Sequence, residues 1–254
     1  MIMIEEDWEF NVLNLYNFYR VGYLECYFDF IKKNHDNFAG DIVEAGVFQG
    51  KSLISTALLL KKLKSNKKVY GYDTWSGYPP IYHKYDETDY WETLFKKDKI
   101  SKEHFEKTLR LKKYRQLTEK LTENIDASNI STSGDFINCS KENIMNVLDY
   151  FGLDNVILVE GPFEDTMIEK HIGPNKIFAA LIDAVLYESY KTCLPFIWNK
   201  LEKKGLIYLD EYYSLKSPGG KIATDEFFEN KSEKPIKYKN NIGDFERWFV
   251  IKQN

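Results

Sequence analysis

The sequence predicts an α/β fold, a doubly wound and mostly parallel Rossmann-like sheet with helices on both faces and a helical insertion. Five short apolar runs, each closed by an acidic residue or a turn signal, alternate with longer helical stretches, the order that builds parallel sheets through crossover helices. The chain has 254 residues and 43% hydrophobic content, enough for one sizeable core, and α/β folds of this length commonly form one domain. A single domain over 1–254 is therefore expected.

Residues 1–38 are rich in aromatics and read as a helical lead-in that covers the sheet. DIVEAG (41–46) is the first strand, and SLISTALLLKKLK (52–64) the first crossover helix. That segment starts on a serine, carries a broad apolar face and places lysines in its last turn, where they complement the helix dipole. VYGYD (69–73) is the second strand. Residues from about 80 to 150 carry YDETDYWETLFKKDK, a lysine-rich segment and the polar stretch ASNISTSGD, with no clear strand. An ordinary connection is far shorter, so this is read as a helical insertion or lid, or equally as a solvated helical decoration. Its Tyr82, Tyr85, Tyr90 and Trp91 form either a stacking wall for a sugar or flat ring, or the insertion's own core. VILVEG (156–161), FAALID (178–183) and LIYLD (206–210) are the remaining strands of the parallel set. A helix at about 221–230 follows, then PIKYK (235–239) and RWFVIK (247–252), a terminal hairpin or a pair of edge strands.

Charge and cysteine usage narrow the function classes. A net charge of -4 gives no uniformly basic face for a nucleic-acid backbone, although Lys107 to Lys113 form a local basic patch. Cys26, Cys139 and Cys193 are widely spaced and odd in number, which fits neither a disulfide framework nor a Cys-x-x-Cys metal site. The N-terminus is acidic where a signal peptide needs a basic region, and no apolar run reaches the roughly 18 residues of a membrane span. A soluble, cytoplasmic protein is expected; a homo-oligomer is possible through the aromatic lead-in.

The stretch AGVFQGKS (45–52) fits two signatures. From Ala45 it is a relaxed P-loop ending in Gly50, Lys51 and Ser52, and GLIYLDE (205–211) resembles a Walker B strand. From Glu44 it is an acidic residue followed by Gly-x-x-x-Gly at a strand-to-helix turn, the shape of a methyl-donor loop. In open parallel sheets ligands bind beyond the carboxyl ends of the strands. Here those ends carry Glu44, Asp73, Glu160, Asp183, Asp210 and Glu211, a lining that repels a polyphosphate and suits a cationic, hydroxyl-bearing ligand or a divalent metal. A phosphate cradle also needs small residues, whereas this loop holds Val47, Phe48 and Gln49. Asp73 ends the second strand, where doubly wound folds place an acid on the ribose hydroxyls of an adenosine ligand.

These segments resemble the class I S-adenosylmethionine-dependent methyltransferases, and within them the macrocin O-methyltransferase family. The resemblance runs over about 36–229 and rests on GDIVEAGVFQGKSL, YGYDTWSGYPP, VILVEGPFEDTM, ALIDAVLYESYKTCL, GLIYLDEYY and SPGGKIATDEFF in that order. It implies methylation of sugar hydroxyls, and some phenols, with magnesium. By position it implies Glu44, Gly46, Gly50 and Ser52 at the methionine end of the donor, Asp73 on the ribose, and Thr74 and Trp75 beside the adenosine. Glu160, Gly161 and Phe163 fall near the adenine, and Asp183, Asp210 and Glu211 on Mg2+.

Two residues depart from the family pattern. Glu211 replaces an aspartate, and Val185 stands where the family carries its proposed general base. The base is then Glu211 or a lid residue such as His83, Asp86 or Glu87, unless the acceptor oxygen is already acidic or turnover is weak. The competing functions are a P-loop nucleoside triphosphatase or kinase and a donor-binding protein with weak or no turnover.

Overall fold

The structure is a computed structural model that describes residues 3–20, 22–79, 82–118, 125–239 and 246–253. The parts of the lead-in at 1–2 and 21, and of the expected insertion at 80–81 and 119–124, lie outside them. Two short helices open the chain, α1 (Asp7–Val12) and α2 (Glu25–Asn34), followed by β1 (Asp41–Ala45), α3 (Lys51–Lys62) and β2 (Val69–Asp73). A 3-10 turn (Lys84–Asp86) and the helices α4 (Tyr90–Lys96), α5 (Lys102–Thr118) and α6 (Lys141–Phe151) separate β2 from β3 (Val156–Glu160). The remainder runs α7 (Phe163–Thr166), β4 (Ile177–Ile182), α8 (Tyr187–Lys200), β5 (Leu201–Leu209), α9 (Gly219–Phe228), β6 (Ile236–Lys237) and β7 (Trp248–Ile251).

Among the described residues seven strands form one sheet in the order β3-β2-β1-β4-β5-β7-β6. The first five are parallel. The late segments form an antiparallel pair in which β7 lies against β5 and β6 takes the edge. All five expected parallel strands are present, so the carboxyl ends of β1, β2, β4 and β5 bring the acidic residues of the motifs to one rim.

Each face of the sheet has its own apolar layer. The lead-in supplies Phe10, Phe18, Tyr27, Phe28 and Ile31, which pack with α3 and with Ile42, Ala179 and Tyr208 of the strands. The other layer joins Val43, Ala180 and Ile207 to Tyr190, Leu194 and Ile197 of α8 and Ala223 of α9. Among the described residues no helix is long and apolar enough to cross a membrane.

A buried carboxylate helps tie the segment between β2 and β3 to this body. Asp86 accepts from the backbone N–H of Tyr187, the first residue of α8, at 2.8 Å, and from the Ser217 hydroxyl before α9 at 3.4 Å. Burial pushes its pKa up to about 6. There is no room here for more than a glycine: a Cβ on Gly219 would lie 1.9 Å from the Asp86 carboxylate and 2.7 Å from the Tyr187 nitrogen. Gly219→Ala is expected to destabilise the protein by about 2–3 kcal/mol through this overpacking, read as a fall in urea midpoint. An unchanged midpoint counts against the clamp.

Trp91 is buried with Leu94 and Ile100, and Tyr213 and Ile222 from beyond β5 pack against them. Tyr82 instead packs with Tyr78 against Ala127, Val185 and Leu186.

Candidate active site

The turn from β1 into α3 is shaped from below by Asp73. One of its carboxylate oxygens accepts the N–H groups of Val47 at 2.7 Å and Phe48 at 2.8 Å, and the other accepts Trp75 N–H at 2.8 Å. A carboxylate has about four lone-pair sites, so a ribose hydroxyl would share these oxygens with the turn. The arrangement also removes the basis of the P-loop reading. The amides that would cradle a phosphate already face an anion, and the Lys51 ammonium sits 4.5 Å over the Tyr16 ring.

Two glycines make the turn possible. Gly46 has φ +88, and a Cβ there would lie 2.1 Å from the carbonyl oxygen of Asp183; Gly50 has φ +80 and starts α3. Glu44 stands behind the turn rather than on a cavity wall. It is fully buried, accepts from the Ser52 hydroxyl at 2.6 Å, and leaves its second oxygen without a partner. Burial raises its pKa to about 8. In the structure it anchors the first turn of α3.

Two cavities meet at this rim. The first, about 480 Å³, is lined by Gly46, Asp73, Thr74, Tyr78, Phe163 and Val185 among others. The second, about 390 Å³, is lined by Tyr16, Ser52, Asp210, Glu211, Lys216 and Arg247 among others. Phe48, Phe136 and Asp183 belong to both, and the two phenyl rings meet edge to face at 5.1 Å. Of the residues expected at the donor, Gly46, Asp73, Thr74 and Phe163 line the first cavity and Ser52 the second. Gly50, Trp75, Glu160 and Gly161 line neither. Glu160 instead pairs with Lys141 at 2.8 Å, Lys141 lies over the Trp75 ring at 5.5 Å, and Gly161 N–H donates to the Asp73 carbonyl at 3.0 Å.

The three acids expected on a metal come together. Asp183, Asp210 and Glu211 each offer an oxygen within 4.8 Å of the others. Buried Tyr190 holds the strand ends in register, donating to the Ile182 carbonyl at 3.0 Å and accepting Glu211 N–H at 3.2 Å. Burial and the neighbouring Asp210 and Glu211 charges push the Asp183 carboxyl well above the usual range. Burial acts the same way on Glu211, but the Lys216 charge and hydrogen bond outweigh it and hold the group low. Lys216 bonds Glu211 at 2.8 Å and Arg247 bonds Asp210 at 3.1 Å. The remaining Glu211 oxygen is buried without a partner, so the oxygen-only donor set fits a hard divalent cation.

Comparison with known proteins decides the assignment. The family model described as Macrocin-O-methyltransferase (TylF) matches residues 20–122 and 118–247. The chain belongs to the macrocin O-methyltransferase family. It is accordingly an S-adenosylmethionine-dependent methyltransferase. Similar solved structures include the O-methyltransferase NovP, 18% identical over 89% of this chain and 79% of that one, with a TM-score of 0.61. The calicheamicin methyltransferase CalS11 is 17% identical over 97% and 80%, with a TM-score of 0.59. An O-methyltransferase from Bacillus cereus in complex with SAH is 12% identical over 98% and 92%, with a TM-score of 0.52. These likenesses are of fold. No curated protein matches the sequence.

Within this macrocin O-methyltransferase family member, two of the residues offered as lid bases make other contacts. His83 lines neither cavity: its Nδ1 accepts Tyr85 N–H at 3.2 Å and its ring stacks on Tyr187 at 4.5 Å. In the structure it caps the 3-10 turn. Asp86, the second lid candidate, is the clamp described above. Val185 is buried on the wall of the first cavity with φ +58, a conformation that strains a β-branched residue and that aspartate or asparagine adopts more readily.

Several residues at the site carry no local sequence signal. Tyr16 and Tyr23 join their hydroxyls at the second cavity, and the Arg247 guanidinium lies 4.5 Å over the Tyr23 ring. The Tyr78 hydroxyl is buried without a partner beside the first cavity. The aromatic lead-in and the tyrosine of YGYDTWSGYPP were the available hints.

Proposed function

We propose that the protein transfers the methyl group of S-adenosylmethionine to a hydroxyl of a sugar-containing or other small-molecule acceptor, with a divalent metal, Mg2+ as the expected ion, held by Asp183, Asp210 and Glu211. One observation carries the reading: a cavity rimmed by the donor turn and a cavity floored by carboxylates share Asp183. Gly46, Thr74 and Phe163 would seat the donor, with Asp73 fixing the turn beneath it. The acceptor would enter the second cavity, so that its oxygen and the transferred methyl meet beside Asp183 between Phe48 and Phe136.

In-line displacement at a sulfonium needs such alignment, and positioning supplies much of the acceleration. A bound divalent metal would lower the pKa of an acceptor hydroxyl coordinated to it. The chain's own contribution is to hold three oxygens toward that point, to balance their charge with Lys216 and Arg247, and to wall the transfer path with aromatic rings.

Thermal shift separates this reading from a nucleotide-dependent one. S-adenosylhomocysteine at 100 times its Kd should stabilise the protein by about 2.7 kcal/mol, and ATP with magnesium should not. Stabilisation by ATP alone would sink the proposal. Methyl transfer onto a panel of glycosides and sugar nucleotides, with Mg2+ against EDTA, then tests turnover and the metal.

A further inference from the structure

We propose that Lys216 is a resident counter-ion of the carboxylate triad, with which a divalent cation must compete. The inference rests on the metal reading above.

The lysine is built into the site. Its ammonium bonds one oxygen of Glu211 at 2.8 Å, with side-chain exposures of 23% for the lysine and 2% for the glutamate. Its backbone is fixed from both sides. The carbonyl accepts the indole N–H of buried Trp91 at 3.2 Å, and its N–H donates to the Ser214 hydroxyl at 3.1 Å. Trp91 lies on α4, so a helix of the segment between β2 and β3 places this positive charge on the cavity wall.

The consequence for a metal is electrostatic and stereochemical. Three carboxylates already meet two cations, because Arg247 bonds Asp210 at 3.1 Å. A divalent ion adds two further positive charges a few ångströms from the ammonium, and repulsion at that range weakens binding by on the order of tenfold or more even at high dielectric. The lysine also engages one Glu211 oxygen and leaves the unpartnered one to a metal. Glu211 therefore serves as a one-oxygen ligand while Lys216 is in place. The native site then holds metal loosely and stays electrostatically balanced without it.

The test is titration of Mn2+ into the full-length protein by calorimetry, with electron paramagnetic resonance reporting free ion. The wild type is compared with Lys216→Met, Lys216→Gln and Lys216→Arg, and S-adenosylhomocysteine affinity serves as the check on folding. Whichever neutral variant retains wild-type affinity for S-adenosylhomocysteine should bind Mn2+ at least tenfold more tightly, while the arginine variant should stay within about threefold of the wild type. A silent wild type beside a binding neutral variant supports the counter-ion role and shows the native metal reading to be wrong. Equal or weaker Mn2+ binding by a folded neutral variant overturns the proposal, and absence of Mn2+ binding by all the proteins overturns it together with the metal reading.

Discussion

Asp183→Asn is expected to leave the free protein more stable and the enzyme nearly inactive. Asp183 is buried beside Asp210 and Glu211, with burial and their charges both opposing its ionised form. Removing the charge while keeping the shape relieves like-charge repulsion, worth on the order of 1–2 kcal/mol in a site partly balanced by cations. The melting temperature of the ligand-free protein should rise by several degrees. The same substitution turns one of three carboxylates that meet within 4.8 Å into a neutral amide, and that carboxylate is an acid shared by the two cavities. Methyl transfer should fall by roughly a hundredfold to a thousandfold, the scale of losing one charge-stabilising group in a preorganised site. Affinity for Mn2+ should fall with it, and affinity for S-adenosylhomocysteine should stay within a few-fold. Retention of full activity by Asp183→Asn would show that the carboxylate rim is not the reaction centre.

Gly46→Ala should produce the opposite combination, a loss of both stability and donor binding. The residue sits at φ +88, and an added Cβ would lie 2.1 Å from the Asp183 carbonyl oxygen and 2.8 Å from its carbon. Those are backbone atoms, and Asp183 N–H is itself bonded to the Ala45 carbonyl at 2.9 Å. The clash has no flexible side chain to absorb it. The ends of β1 and β4 must separate, which carries the donor turn and the carboxylate rim apart together. A stability loss of about 3 kcal/mol or more follows from the strained dihedral and the overpacking. Calorimetry should show S-adenosylhomocysteine binding weakened by at least about a hundredfold, in proportion to that distortion. A variant that binds the donor product as the wild type does would mean that this turn is not its seat.

The parallel strands were legible because each is a short apolar run ended by an acid or a turn, and such runs report burial on both faces directly. The rim of carboxylates was legible for the same reason, since an acid closing a parallel strand lies at the carboxyl edge. What those acids face was not legible. Asp73 stands at the expected place, yet its oxygens are set by the N–H groups of Val47, Phe48 and Trp75, and nothing in YGYD encodes that geometry. Glu44 shows the same gap between a motif and its orientation, because full burial turns it toward Ser52. Arg247 reaches Asp210 only because β7 returns beside β5, a contact made by topology rather than by spacing. His83 was a candidate from its residue type and its place in the expected lid, and in the structure its ring caps the 3-10 turn.

The turn from β1 into α3 is held in shape by two N–H bonds to Asp73, from Val47 and Phe48. For a donor seated on it as proposed, such a turn would act as a preorganised receptor. Association with a donor is then expected to proceed without a preceding rearrangement of the turn, with differences among donor analogues read in their dissociation rates. The entropy of ordering the turn is settled during folding, so it does not burden each catalytic cycle.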